Sequence, residues 1–143
     1  AFKDISDNLI GIDLSHKMIS KAKQKNIYDE IFHSDIKNFL QNQKKKYDLF
    51  ISADVFIYVG NLDEIFSVIS SRANFKAKFC FSIEKCSNEN FKLLKSARYS
   101  HSIKYIKFLA AKYNFNVLDF VSTTIRFELN KSIDGYLFIL EKT

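Results

Sequence analysis

The segment Leu9-Ile10-Gly11-Ile12-Asp13-Leu14-Ser15 constrains this chain more than any other. A short apolar run ends in a carboxylate and meets a helix start at once. In a nucleotide-type α/β sheet the carboxyl end of a strand faces the ligand crevice, and an acidic residue there meets a ribose. A Gly-rich turn is expected roughly 20 residues upstream of such a residue. Only eight residues precede Leu9. The sequence thus presents the second half of a nucleotide-type site, and its first half is expected to lie outside the chain.

The rest of the chain reads as alternating elements. Residues 1–8 are polar, with Phe2 and Ile5 at helical spacing, as at a helix end. After the strand at Leu9–Asp13, Ser15 suits an N-cap, and Leu14, Met18, Ile19 and Ala22 share a helix face ending near Lys25-Asn26. On this pattern Met18 is a core residue, with adenine packing as its other use. A weaker strand over Tyr28–His33 closes on Ser34-Asp35, and Ile36, Phe39 and Leu40 mark a short helix. The strongest strand signal is Tyr47–Ala53, followed by Asp54-Val55 and a loop over Phe56–Gly60. Asn61 with Glu64 reads as a capping box for a helix with Leu62, Ile65, Phe66 and Ile69 inward.

Lys78–Ile83 is a buried strand ending at Glu84, and Lys85–Ser100 reads as an irregular loop. A helix over Ile103–Tyr113 ends at Asn114, an acceptable left-handed cap. Val117–Leu129 and Tyr136–Leu140 form a hairpin turning at Asp134-Gly135. No repeat or linker divides this order, so it predicts one domain over residues 1–143. The fold class is α/β: a Rossmann-like, doubly wound, mostly parallel sheet with an antiparallel C-terminal hairpin.

Composition narrows the function. No apolar run nears the ~20 residues of a membrane span, and no signal pattern opens the chain, so a cytoplasmic setting is expected. Cys80 and Cys86 have neither disulfide nor metal spacing, and His16, His33 and His101 are scattered, so no metal site is expected. The net charge of +6 is spread along the chain, with Lys44-Lys45-Lys46 as its one run. That run reads as a solvated surface, and nucleic acid is not an expected partner.

Three strands end in carboxylates: Asp13, Asp35 and Asp54. Each can bind ligand hydrogens or cap the next helix. Ser15 is available as a cap, which favours the ligand role for Asp13. For Asp35 the two roles balance. Asp54, between Ala53 and Val55, is expected to be buried, where an unpaired carboxylate is costly without a function. Tyr58, Tyr99 and His101 lie on the same loop side as candidate substrate-binding residues, and Arg98-Tyr99-Ser100-His101 is the candidate substrate lid.

The residues Gly11-Ile12-Asp13-Leu14-Ser15-His16-Lys17-Met18 resemble the G-x-D-x-S-x-x-M segment of class I S-adenosylmethionine-dependent methyltransferases. Tyr47-Asp48-Leu49 with Ala53-Asp54-Val55 resembles their fourth motif. Phe81–Glu84, Arg98–His101 and Asp134–Leu137 are similar to a subgroup related to tetratricopeptide-containing methyltransferases. The resemblance implies S-adenosylmethionine as cofactor and methyl transfer to a small-molecule acceptor. It implies that Asp13 holds the ribose, Leu14 and Met18 flank the adenine, Asp35 and Ile36 meet its amino edge, and Ala53 lies by the methionine part. Asp54, Tyr58 and His101 are the candidate bases, with Arg98 and Tyr99 on the acceptor. The family's Gly-rich motif, on the central first strand, is expected just before Ala1. Without it, the strand edges at Leu9–Asp13 and Asp48–Ala53 would be open. The expected outcome is a truncated, impaired enzyme, or a non-catalytic module that pairs through those edges with another chain, including a second copy. A nicotinamide-dependent dehydrogenase also suits Asp13, but no later residues resemble a hydride-transfer site.

Overall fold

The computed structural model describes residues 2–87 and 89–143. Ala1, in the expected N-terminal helix end, and Asn88, in the expected irregular stretch, lie outside the described residues. The chain forms two compact units, residues 1–43 and 44–143.

In the first unit a 3₁₀ turn (Phe2–Ile5) precedes strand β1 (Ile10–Asp13), helix α1 (His16–Gln24), strand β2 (Glu30–His33) and helix α2 (Ile36–Asn42). β1 and β2 are parallel, with Asp13 opposite His33. Ser15 caps α1, its Oγ accepting the Met18 N–H, and that cap sets the phase of the helix. Ile19 therefore points inward, whereas Met18 is 48% exposed, so its assignment to the core is corrected. The helix ends as expected, with Asn26 left-handed at φ 49°.

The second unit contains β3 (Tyr47–Ser52), a 3₁₀ turn (Phe56–Tyr58), α3 (Asp63–Arg72), β4 (Ala73–Lys85), β5 (Phe91–Leu93), β6 (Tyr99–His101), α4 (Ile103–Lys112), β7 (Phe115–Glu128) and β8 (Lys131–Lys142). Its sheet is mixed, with the expected antiparallel hairpin at its C-terminal end. β4 is central: parallel to β3 and, at its end, to β6, but antiparallel to β8, which carries β7 on its far side. Period-2 alternation puts Phe79, Phe81 and Ile83 of β4, with Phe138 and Leu140 of β8, on one buried face. Phe66 of α3, Phe56 and Phe115 pack edge-on or tilted against Phe79 at ring-centroid distances of 5.4, 6.0 and 6.2 Å. Such offset and edge contacts add to the burial of the rings.

Three expectations change here. Lys85–Ser100 is not an irregular loop: β5 and β6 pair antiparallel within it, Phe91 opposite His101. The expected capping box at Asn61 does not form. Leu62 is the N-cap of α3, and Asn61 instead accepts the Asp63 N–H (2.9 Å) and the Tyr105 hydroxyl (3.0 Å). The C-terminal hairpin turns at Leu129-Asn130, both left-handed at φ 47° and 61°, as a two-residue turn of matching twist requires.

Asp134-Gly135 lies inside β8, and the reason is steric. A Cβ on Gly135 would stand 2.2 Å from the Ile83 carbonyl oxygen and 2.9 Å from Ile125 Cδ1 and Cγ2. Here glycine marks a close approach of neighbouring strands, not a turn.

Candidate functional sites

At the carboxyl end of β1, Asp13 Oδ1 accepts the Ser15 N–H (2.7 Å) and its backbone carbonyl accepts the Ser34 N–H (3.2 Å). The strand end is thus tied to the start of α1 and the end of β2. Among the described residues Asp13 Oδ2 has no partner. Leu14 (68% exposed) and Met18 lie one turn apart beside it, an accessible apolar pair.

Asp35 is the N-cap of α2, accepting the Asn38 N–H (2.9 Å) and the Asn38 side-chain amide (2.5 Å). The Asn38 backbone bond, more than any other contact, holds its carboxyl below the usual range against the opposing effect of burial. Each oxygen keeps a second lone pair. Ile36, the first residue of α2, is half-buried. Two histidines read as scattered prove to be partners. His33 Nε2–H donates to the Leu14 carbonyl (2.8 Å), and its ring stacks on His16 at 3.7 Å.

In the second unit Asp54 follows β3 in the left-handed region, φ 56°, where a non-glycine residue needs support. Its N–H donates to Ser82 Oγ (2.7 Å) and its Oδ1 accepts from Arg126 (2.9 Å). The expected buried, unpaired carboxylate is therefore corrected: the Asp54 side chain is 45% exposed and ion-paired. Arg126 also reaches Glu84 Oε2 at 2.6 Å, and its Nε lies 3.8 Å from Glu128 Oε2. Glu128 in turn pairs with Arg98. Burial pulls the Arg126 pKa down, but its bonds to Glu84 and Asp54 outweigh this and leave it above the ordinary value. Ala53, on the other side of Asp54, is exposed.

Phe56 and Ile57 anchor the segment after β3 by full burial, leaving Tyr58 66% exposed. Tyr99 packs against Gly60, where a Cβ would stand 2.6 Å from the tyrosine ring, and lies 6.3 Å from Phe91. His101 is 0% exposed, so its place on an open lid is corrected. Its Nε2–H donates to the Gly60 carbonyl (2.9 Å), and burial lowers its pKa, keeping the ring neutral. It fastens the end of that segment to β6, and Tyr105 does the same for Asn61-Leu62 through its hydroxyl. Arg98-Tyr99-Ser100-His101 is accordingly a packed bracket, with Ser100 buried and Ser102 capping α4.

An open groove of about 270 Å³ runs along the second unit's other sheet face, its lining including Ile51, Ala53, Cys80, Ser82, Leu137 and Ile139.

Ser82, Glu84, Arg126 and Glu128 escaped assignment from sequence. A faint signal existed: only three of the 22 basic residues are arginine, and arginine's planar fork suits two carboxylates at once. Among the described residues no helix is long and apolar enough to cross a membrane.

The family model for a methyltransferase domain matches residues 1–72. No curated protein matches the chain's sequence. Among solved structures, an S-adenosylmethionine-dependent methyltransferase from Methanosarcina mazei superposes with a TM-score of 0.75 at 12% identity, over 99% of this chain and 84% of that one. Magnesium protoporphyrin IX methyltransferase from Synechocystis, with bound S-adenosylmethionine, gives 0.72 at 19% identity, over 99% and 62%. The N-methyltransferase NodS from Bradyrhizobium japonicum, with S-adenosylhomocysteine, gives 0.72 at 13%, over 99% and 71%. These likenesses show the fold: α/β, Rossmann-like, with a mixed sheet.

Proposed function

The chain belongs to the methyltransferase-domain family, and from that premise we propose that it uses S-adenosylmethionine to methylate a small-molecule acceptor. The observation that carries this reading is Asp13, whose Oδ1 is fixed by the Ser15 N–H and whose Oδ2 faces no partner among the described residues. A carboxylate so held accepts ribose hydroxyls at little further ordering cost. Leu14 and Met18 offer the adenine an apolar surface, and Asp35 and Ile36 its polar edge. The segments Arg98–His101 and Asp134–Leu137 support the subgroup related to tetratricopeptide-containing methyltransferases.

S-adenosylmethionine supplies a methyl group already activated on a sulfonium sulfur, so the protein's task is chiefly alignment. Asp54 is the accessible carboxylate suited to take the proton released by an O–H or N–H acceptor, directly or through water. Tyr58 is exposed beside it in sequence and can hydrogen-bond the acceptor. His101, sealed in the core, leaves the list of bases and serves to position. The second unit's groove, just under the ~300–1,000 Å³ of common ligand pockets, supports a small acceptor.

Isothermal titration with S-adenosylmethionine and S-adenosylhomocysteine tests this. Saturable binding of both is expected. Absence of heat and of a thermal shift at millimolar ligand would sink it.

A second reading rests on the strand edges. Among the described residues β1 pairs only with β2 and β3 only with β4, and Leu49 and Ile51 of β3 are 40% and 46% exposed. Such edges favour pairing with another chain, here a second copy. Light scattering on an eluting gel-filtration peak should then give twice the chain mass, and a monomer at high concentration excludes it.

A further inference from the structure

We propose that Arg126 is the positioning residue of the acceptor side: by bridging Asp54 and Glu84 it holds the segment after β3 and sets the charge that Asp54 presents. The second half of this statement rests on the methyl-transfer reading; the first does not.

The origin of this bridge lies in the β7–β8 ladder. Its register slips between Thr124 and Arg126, leaving Ile125 as an extra residue. A bulge of this kind bends a strand and re-aims the next side chain. Ile125 folds over Gly135, the one place on β8 where nothing projects to block it. Arg126 is thereby turned toward the ends of β3 and β4. Its guanidinium spans two strands, with Nη1 on Asp54 Oδ1 and Nη2 on Glu84 Oε2. Both partners on the Glu84 side are well buried, at 14% and 12% exposure, so the bridge is shielded from solvent and salt.

Asp54 is the point where this matters. Its left-handed backbone is held at two places, the N–H by Ser82 and the carboxylate by Arg126. The residues after it form a short turn, Tyr58 N–H to Val55 O (3.1 Å) and Val59 N–H to Phe56 O (3.1 Å). Releasing the carboxylate frees the strained residue and with it the entry to this turn. It also removes a positive charge that offsets Asp54 and Glu84. A sulfonium ligand is cationic and its demethylated product is neutral, so such a charge change separates the two.

The test uses the full chain and the variants Arg126→Gln and Arg126→Lys. Amide hydrogen exchange in Arg126→Gln is expected to rise by about tenfold over residues 54–59, while β7 and β8 keep their protection. Arg126→Lys should restore most of it. In the same variants, S-adenosylmethionine and S-adenosylhomocysteine are titrated separately. Arg126→Gln should shift their affinity ratio by about threefold or more toward the cationic ligand, and Arg126→Lys should not. A structural role alone would move both affinities together. Unchanged exchange in Arg126→Gln overturns the positioning role, and an unchanged ratio overturns the charge-setting role. If Arg126→Gln unfolds β7 and β8, Asp54→Ala cuts the same bridge from the other side, because its methyl offers Arg126 no acceptor. It must then show the segment-limited change, and its failure to do so overturns the proposal. Should the unaltered protein bind neither ligand, the methyl-transfer reading falls, and exchange still decides the positioning role.

Discussion

Gly135→Ala is expected to destabilise the second unit by about 3 kcal/mol, at the upper end of the usual overpacking range. The added methyl would stand 2.2 Å from a backbone oxygen, Ile83 O, and 2.9 Å from two carbons of Ile125. The backbone oxygen does not move cheaply. Ile83 is fully buried in the central strand, and its neighbours are fixed in the β4–β8 ladder, where Gly135 itself opposes Glu84. The remaining glycines supply a scale. A Cβ on Gly60 would meet the edges of the Tyr99 and Phe91 rings, and one on Gly11 would stand 3.1 Å from the Tyr28 ring. Side chains can rotate away, so Gly60→Ala should cost about 1 kcal/mol and Gly11→Ala less. Urea unfolding followed by far-UV circular dichroism measures all three. A Gly135→Ala variant within 1 kcal/mol of the parent would mean that the bulge at Ile125 is not pinned by β4, which would also weaken the case for Arg126.

Asp13→Asn is expected to weaken S-adenosylmethionine binding by about tenfold to a hundredfold, the worth of a charge-assisted hydrogen bond of about 1.5–3 kcal/mol. The choice of asparagine matters. Its side-chain oxygen can still accept the Ser15 N–H, so the turn into α1 should survive with unchanged stability. Alanine would remove that turn as well and confuse folding with binding. Calorimetric titration alongside thermal unfolding separates the two. Equal affinity in Asp13→Asn and the parent would assign Asp13 to the local turn alone and remove the main support for the cofactor site.

Local chemistry was legible in sequence. Ser15 and Ser102 cap their helices through side-chain oxygens, and Asp35 does likewise, so the balance between its two roles includes the cap. Asn114 is left-handed at φ 58°, as its place after a helix implied. Lys78–Ile83 read as a buried strand, and β4 covers it. The hairpin turn was misplaced for an instructive reason. Asp-Gly is the stronger local turn signal, yet close packing of β4, β7 and β8 needs the glycine within the strand. Leu129-Asn130 turns instead, against the preference of leucine.

The candidate site divides along the same line. By itself the sequence determined which carboxylates end or follow β1, β2 and β3, because caps, short apolar runs and carboxylates act within a few positions of one another. It therefore named Asp13, Asp35 and Asp54 as strand-end carboxylates. Only the tertiary structure decided what surrounds them. Burial and pairing depend on residues far away in the chain: Arg126 lies 72 positions from Asp54, and His101 lies 41 from Gly60. A guanidinium's partners and a histidine's access to solvent are set by strand register and bulges. Those are properties of the folded ladder, and they turned Asp54 from a buried orphan into a half-exposed, clasped carboxylate.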